Sequence, residues 1–377
     1  RGRSNLLRFL LRSGRDFKQE LLNPALVQSM DFCLSCKACQ SECPASVDMA
    51  RLKAEYLYQR RLAHGWSFKD RGVLMYPYYL RLASKLPALA NRLQATTLFK
   101  KMASVSSQRE LPLMAEKPFV NSVQRKVSKA MDSTHVILLV DLFSQYQSPE
   151  VPRDALRLLE TLGFVVHPVL MKTSPRQLIS QGLLAESKKA LEQLLAQINS
   201  VSGHYDILGL EPSELLVLRD EWGDLVEQGK KGYVQQIKAR AFLLEEFLAQ
   251  KVLDNSAMGN LFQTKLKKEP VTVAIHNHCH QQSLVGPVPT KTLFEAVPGV
   301  KLMFLKTGCC GMAGQFGYEN PQLSVKVAKT SFLPAITTLE KDSILIAAGC
   351  SCRAQAALLA GVQAVHPATF LVNRLVC

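Results

Sequence analysis

Hydrophobic and polar positions change their rhythm along the chain. Through residues 1–130 the spacing is helical: residues 49–61 (MARLKAEYLYQRR) are mostly good helix formers, and residues 74–93 alternate Tyr and Leu with Arg and Lys. Pro77 and Pro87 are expected to break that second stretch. Residues 100–130, basic and holding Pro112 and Pro118, read as a connector. From His135 onward short apolar runs alternate with amphipathic segments. Strands are expected over 136–140, 164–170 and 205–210, with helices over 153–162, 183–199 and from Glu214 to Trp222. One long helix is expected over 235–251, followed by a polar linker over 255–270. The scheme then restarts, with strands over 271–276, 300–305 and 343–347 and helices over 290–296, 323–336 and 354–359. Strands alternating with helices imply parallel sheets.

The two α/β stretches align as a weak internal repeat. VILLVDLF (136–143) matches TVAIHNHC (272–279), setting Phe143 opposite Cys279. LGLEPSE (208–214) matches IAAGCSC (346–352), setting Glu214 opposite Cys352, and LMKTSPR (170–176) lies against FLKTGCC (304–310). The first copy keeps the scaffold and lacks the thiols. The reading is therefore three domains: helical 1–130, a repeat without cysteine over 131–265, and a repeat with cysteine over 266–377.

Composition adds two constraints. Of 377 residues, 47% are hydrophobic and 20% charged, a globular balance. No apolar run approaches the roughly 18 residues of a membrane span. The net charge of +15 is unevenly placed: residues 1–130 carry 23 Lys and Arg against 9 Asp and Glu, and the remainder carries 23 against 22. A basic region of this kind points to an acidic partner or an anionic membrane surface. Its charges are spread along helices without a recognisable binding module, which argues against nucleic acid. A start at Arg1 with no initiator Met and no leader predicts a piece of a longer, non-secreted polypeptide.

Ten cysteines carry the chemistry. Tight cysteine clusters without a secretory leader read as metal or cofactor ligation, not as a disulfide framework. CLSCKACQSECP (33–44) has the spacing C-x2-C-x2-C-x3-C-P. Three thiolates at i, i+3 and i+6 can meet one face of a [4Fe–4S] cubane, and soft thiolates suit such a cluster. A zinc site usually draws on two separated C-x2-C pairs, and only one run is present. Cys33, Cys36, Cys39 and Cys43 are thus candidate cluster ligands. A Cys before Pro ligates a different cluster in two-cluster ferredoxins, so Cys43 has two readings.

Cys279, the Cys309-Cys310-Gly311 run and Cys352 form a second candidate set, each just after an expected strand. That is the carboxyl edge where open α/β sheets build sites. Metal ligation is the leading reading and a redox or structural thiol group the other. Cys350 departs from a C-x2-C spacing, which needs a cysteine at Gly349. His276, His278 and His280 read as a polar turn of satisfied histidines, with ligation or proton handling as the alternative. His366 reads as packing, residues 76–93 as a packed helix with a solvated face, and Cys377 as a terminal thiol.

RGRSNLLR (1–8), MDFCLSCKACQSECPASVDMARLKAE (30–55), QGLLAESKK (181–189), GLEPS (209–213), HCHQ (278–281), GCCGMAGQFGYE (308–319) and SCRAQ (351–355) together resemble one family. It is the carboxyl-terminal iron–sulfur, cysteine-rich part of bacterial FAD-linked D-2-hydroxy-acid dehydrogenases of the D-2-hydroxyglutarate or D-lactate type. The same repeat occurs in the glycolate oxidase iron–sulfur subunit, in one subunit of the anaerobic glycerol-3-phosphate dehydrogenase and in heterodisulfide reductase. The resemblance implies an α+β multidomain chain, with a helical ferredoxin-like [4Fe–4S] domain followed by two cysteine-rich α/β repeats with parallel sheets. It implies a [4Fe–4S] cluster on Cys33, Cys36, Cys39 and Cys43, and zinc or a second iron–sulfur cluster on Cys279, Cys309, Cys310 and Cys352. It implies FAD on a domain or subunit outside this sequence, which holds no flavin fingerprint, and electrons passed to a quinone or an electron-transfer protein. A cytoplasmic location, peripheral to the inner membrane, follows from the same likeness. The family's first repeat carries Cys-Cys-Gly near residues 173–175 and a Cys at the Glu214 position, and both are missing here. The rival reading is a non-catalytic, metal-stabilised assembly subunit of a redox complex.

Overall fold

The computed structural model describes residues 2–14, 16–121, 134–254 and 256–376. The expected domain boundary at 130/131, the start of the expected linker at Asn255 and the terminal Cys377 lie outside them.

Among the described residues seven strands form two separate parallel sheets. β1 (His135–Val140), β2 (Val165–Leu170), β3 (Asp206–Gly209) and β4 (Ala241–Leu243) make one, in the order β2-β1-β3-β4. β5 (Val271–Ile275), β6 (Val300–Phe304) and β7 (Ile344–Ile346) make the other, in the order β6-β5-β7. In each, the strand that comes first in sequence is flanked by the next two, so the two sheets share a winding. β1 is buried along its length except at His135, as a strand covered on both faces must be.

The sheets are joined by helices, not by strand pairing. The helix Glu150–Thr161, after β1, packs against Pro367–Asn373, which follows β7. Leu244–Asp254, after β4, packs against Val288–Glu295, which follows β5. The pairing is reciprocal. It fuses both units into one core in which Leu138, Leu158, Phe247, Phe294 and Leu371 are essentially water-free. Each such side chain contributes about 1.5–3 kcal/mol of burial.

Two expectations are corrected here. The single helix over 235–251 is instead Lys231–Ala239, the strand β4 and Leu244–Asp254. Three residues are too few to show a strand period, and good helix formers on either side masked them. Within the expected linker, Ser256–Lys265 is helical and Phe262 is buried in the core.

The described residues 2–121 hold helices and no strand. Pro77 does not end its helix: Phe68–Ala83 runs through it, started by a Ser67–Asp70 capping box. Pro87 behaves as expected, opening Pro87–Gln94 at its first turn. The basic connector is tied down at several points. Ser106 N–H donates to the Tyr318 carbonyl at 2.9 Å, and Ala115 N–H to the Tyr146 carbonyl at 2.8 Å. Between them Arg109, 1% exposed, donates to Gln355 Oε1 (3.0 Å) and Ser324 Oγ (2.8 Å). No helix of the described residues is long and apolar enough to cross a membrane.

Candidate functional site

The first cysteine run folds as a tight loop leading into the short helix Ala38–Glu42. Ser35 and Lys37 both take positive φ (54° and 62°), a left-handed turn that costs a non-glycine residue energy and needs surrounding structure to hold it. Lys37 supplies that hold. Its ammonium is fully buried and bridges Asp48 (2.9 Å), Asp220 (2.6 Å) and Glu221 (3.0 Å). Arg51 pairs with Asp220 and Arg176 with Glu221, so the loop is riveted to the first sheet unit through charge. Burial opposes the charge on Lys37, yet Glu221 and Asp220 raise its pKa above the ordinary lysine value. Burial likewise opposes ionisation of Glu221, but Arg176 and then Lys37 hold it down at about 2. Sequence reasoning missed this centre. A lysine between two cysteines reads as solvated, and its partners lie 11 and more residues away.

Around that rivet, Cys33 is buried and Cys36, Cys39 and Cys43 are half-buried. Met49 N–H donates to Cys39 Sγ at 3.3 Å, and the Cys33 carbonyl accepts from Lys53 at 2.7 Å. The Cys36 thiol is pushed up to about 12, first by burial and then by Cys279, with Cys33 and Cys39 adding to it. Cys43 ends the short helix, its N–H donating to the Cys39 carbonyl at 3.1 Å.

The second set is drawn together at the carboxyl ends of β5, β6 and β7. Cys279 and Cys309, Cys309 and Cys310, and Cys310 and Cys352 each bear on the other's ionisation, and with burial they hold the Cys279, Cys309 and Cys310 thiols well above the ordinary thiol value. Cys279 opens the helix Cys279–Leu284, and Cys352 lies in the first turn of Cys350–Ala360. Gly311 adopts φ +86°, and a Cβ there would stand 2.3 Å from the Ser324 carbonyl oxygen. Only glycine allows the Cys309-Cys310 turn to approach the helix Pro321–Thr330, which carries Ser324. Cys350 N–H donates to Glu211 Oε2 at 2.8 Å. The missing cysteine at 349 also has a reason, because a Cβ there would lie 2.4 Å from the His278 ring.

Each histidine ring has a partner on one nitrogen, while His276 Nε2 is buried without one. His276 bonds Thr307 Oγ1 (2.6 Å), His278 accepts from His280 N–H (3.2 Å), and His280 bonds the Ser35 carbonyl (2.9 Å). Burial lowers the pKa of all three, that of His276 to about 3. A polar turn of satisfied histidines describes His278 and His280 but not His276, whose Nε2 is left without a partner. The His280–Ser35 bond adds that this turn seats the first cysteine loop. His366 caps Pro367–Asn373 and bonds the Leu210 carbonyl at 3.1 Å, a packing role between the two units.

Cys33 and Cys36 of the first set, Cys279, Cys309 and Cys310 of the second, and Cys350 line one cavity of about 750 Å³. Its other wall comes from the first sheet unit. There Ser174 hydrogen-bonds Glu214, and Asp141 and Glu211 stand nearby. Burial, then Asp141, pushes Glu214 up to about 8. Of the positions that align with thiols in the second copy, Glu214 presents a carboxyl, Phe143 a phenyl ring and Arg176 a guanidinium to this cavity.

Among the described residues no three His, Cys, Asp or Glu side chains already stand as a closed metal-holding group. The donor chemistry nevertheless fits a soft metal: two all-sulfur sets, buried or half-buried, with backbone N–H groups on Cys39 and Cys309 sulfur. Among the described residues buried Arg109 has no carboxylate as a hydrogen-bond partner, its Nε is unpaired, and it shares Gln355 with the Cys310 carbonyl.

No family model and no solved structure matches the chain. Among curated proteins it is 25% identical over 369 residues to D-2-hydroxyglutarate dehydrogenase of Escherichia coli K12, covering 92% of this chain and 34% of that one. It is 24% identical over 241 residues to one subunit of the anaerobic glycerol-3-phosphate dehydrogenase of the same strain (62% of this chain, 57% of the relative). Lactate utilization protein A of Oceanobacillus iheyensis is 24% identical over 202 residues (52% and 77%). The chain spans about a third of the length of the D-2-hydroxyglutarate dehydrogenases it matches. Its relatives are dehydrogenases and proteins named as their subunits or as lactate-utilization components.

Proposed function

We propose that this chain is the iron–sulfur electron-transfer portion of a FAD-dependent D-2-hydroxy-acid dehydrogenase, with D-2-hydroxyglutarate or D-lactate the substrate of the whole enzyme. The observation that carries the reading is the shared cavity, in which Cys36 of the first set acts electrostatically on both Cys279 and Cys309 of the second. Cys33, Cys36, Cys39 and Cys43 would hold a [4Fe–4S] cluster, and Cys279, Cys309, Cys310 and Cys352 zinc or a second cluster. Such a cluster accepts single electrons, which lets it divide the pair that a flavin removes from a hydroxy acid. The chain's own residues set its surroundings. Lys37 and its carboxylates fix the first loop, Gly311 fixes the second, and the His278–His280 turn holds the two together. The FAD-bearing part, as a fused domain or a subunit, is the partner this reading requires.

An iron and acid-labile sulfide assay on the purified chain tests it, together with an absorbance near about 400 nm that bleaches with dithionite. At the second site Cys310→Ala is expected to empty the metal. Cys350→Ala should leave it mostly filled, because Cys350 is held by Glu211 through its backbone N–H. Equal metal loss from both variants would mean that the fourth ligand is misassigned.

The basic helical region is proposed to meet an anionic membrane surface. Phe68, Tyr78, Leu82 and Leu89 are exposed there beside Arg71, Arg81 and Lys85. Sedimentation with phosphatidylglycerol vesicles should fall several-fold between about 50 and 300 mM salt as the Debye length shortens. Binding that ignores salt removes electrostatics from the docking.

A further inference from the structure

We propose that Lys53 sets the reduction potential of the cluster on Cys33, Cys36, Cys39 and Cys43, its ammonium favouring the reduced form. The cluster itself is that of the electron-transfer reading, on which this inference rests.

Two lysines reach the first cysteine loop, and their surroundings differ. Lys37 is saturated: three carboxylates surround its buried ammonium. Lys53 stands on the helix Met49–His64, half-buried, and lines the cavity beside Cys33 and Cys36. Its Nζ donates to the Cys33 carbonyl at 2.7 Å, and among the described residues it forms no ion pair. Asp31 and Glu319 are the carboxylates that act on it, and Glu319 already pairs with Lys69 at 2.7 Å. Burial lowers the Lys53 pKa from the ordinary lysine value. Of the groups that oppose this, Cys33 acts more strongly than either carboxylate.

An ammonium drawn out of water without a carboxylate partner is costly unless it faces negative charge. Thiolates around a cluster are such a charge, and reduction adds one more unit to it. The attraction to Lys53 therefore grows on reduction, which raises the potential. The ammonium also has a fixed seat. Asp48 caps the helix that carries it and pairs with Lys37 as well, so both lysines share one frame. Lys37 builds the loop, and Lys53 charges the side of it that faces the cavity. No bond forms or breaks in this role. The cluster takes up one electron, from the flavin in the whole enzyme or from dithionite in solution, and Lys53 keeps its protons.

Potentiometric titration of the iron-loaded chain with dithionite, followed by the reduced-state EPR signal, tests the assignment. In Lys53→Met the reduced-to-oxidised ratio at a fixed potential should fall about tenfold, a shift of about 59 mV to lower potential. Lys53→Gln keeps a donor near the Cys33 carbonyl but lacks the charge, so it should shift as Lys53→Met does. Lys53→Arg keeps the charge and should restore most of the wild-type value. Iron and sulfide content and circular dichroism should match the wild type in all three. A loaded Lys53→Met or Lys53→Gln chain at the wild-type potential overturns the proposal alone, as does Lys53→Arg displaced as far as Lys53→Met. Loss of iron from both neutral variants would make Lys53 a structural anchor and overturns it too. A wild-type chain that holds no iron removes the electron-transfer reading, and this assignment with it.

Discussion

Cys36→Ser is expected to yield a colourless chain that has lost roughly four irons and unfolds at a markedly lower temperature. Cys36 is the ligand whose removal should reach furthest, because it stands between the two sulfur sets and its loop is seated by His280. Free energy of metal binding to a site that the unfolded chain lacks is free energy of folding, so cluster and helices should be lost together. Full iron content with a native reduced-state EPR signal in this variant would overturn the ligand assignment.

Lys37→Met should cost about 3–5 kcal/mol, because it strips the common cation from Asp48, Asp220 and Glu221 while leaving them buried. Urea unfolding of the wild-type and variant chains measures it, and a difference below about 1 kcal/mol would show that Arg51 and Arg176 suffice. The pH dependence has a definite sign. Glu221 is depressed to about 2 from an ordinary 4.5, so its contribution is complete above pH 4.5 and is lost as pH falls toward 2. Removing Lys37 should shift that loss to higher pH. Lys37 itself has a raised pKa, so its own contribution holds up to the ordinary lysine range and fades only above it.

Much of this was legible in the sequence, and for physical reasons. Six of the seven strands stand where short apolar runs place them, β1 buried along almost all its length and β2 and β6 mostly half-buried. The cysteine clusters are legible as spacings. The structure brings Cys279, Cys309, Cys310 and Cys352 to one sheet edge, and Cys350 lines the same cavity with its N–H on Glu211. What stayed hidden depends on partners far apart in the chain. The Lys37 rivet joins residue 37 to 220 and 221, and the Arg109 bonds join it to 324 and 355. Neither leaves a local pattern. Glu214 was visible only as the residue standing where a cysteine was expected. That it faces the thiols across a common cavity is a fact of packing between the two sheets.

The connector around Arg109 has a thermodynamic consequence. A buried guanidinium cannot leave Gln355 and Ser324 without reaching water, and the same segment is bonded to Tyr318 on one side and to Tyr146 on the other. The helical region, the first sheet and the second sheet are thus laced by one piece of backbone. Their joint core runs through the reciprocal helix pairs. No one of the three can melt without exposing the others' buried surface, so the chain gains a single cooperative transition in place of three separate ones. Local opening near the cysteine loops is correspondingly rare, which shields their thiols from oxidation.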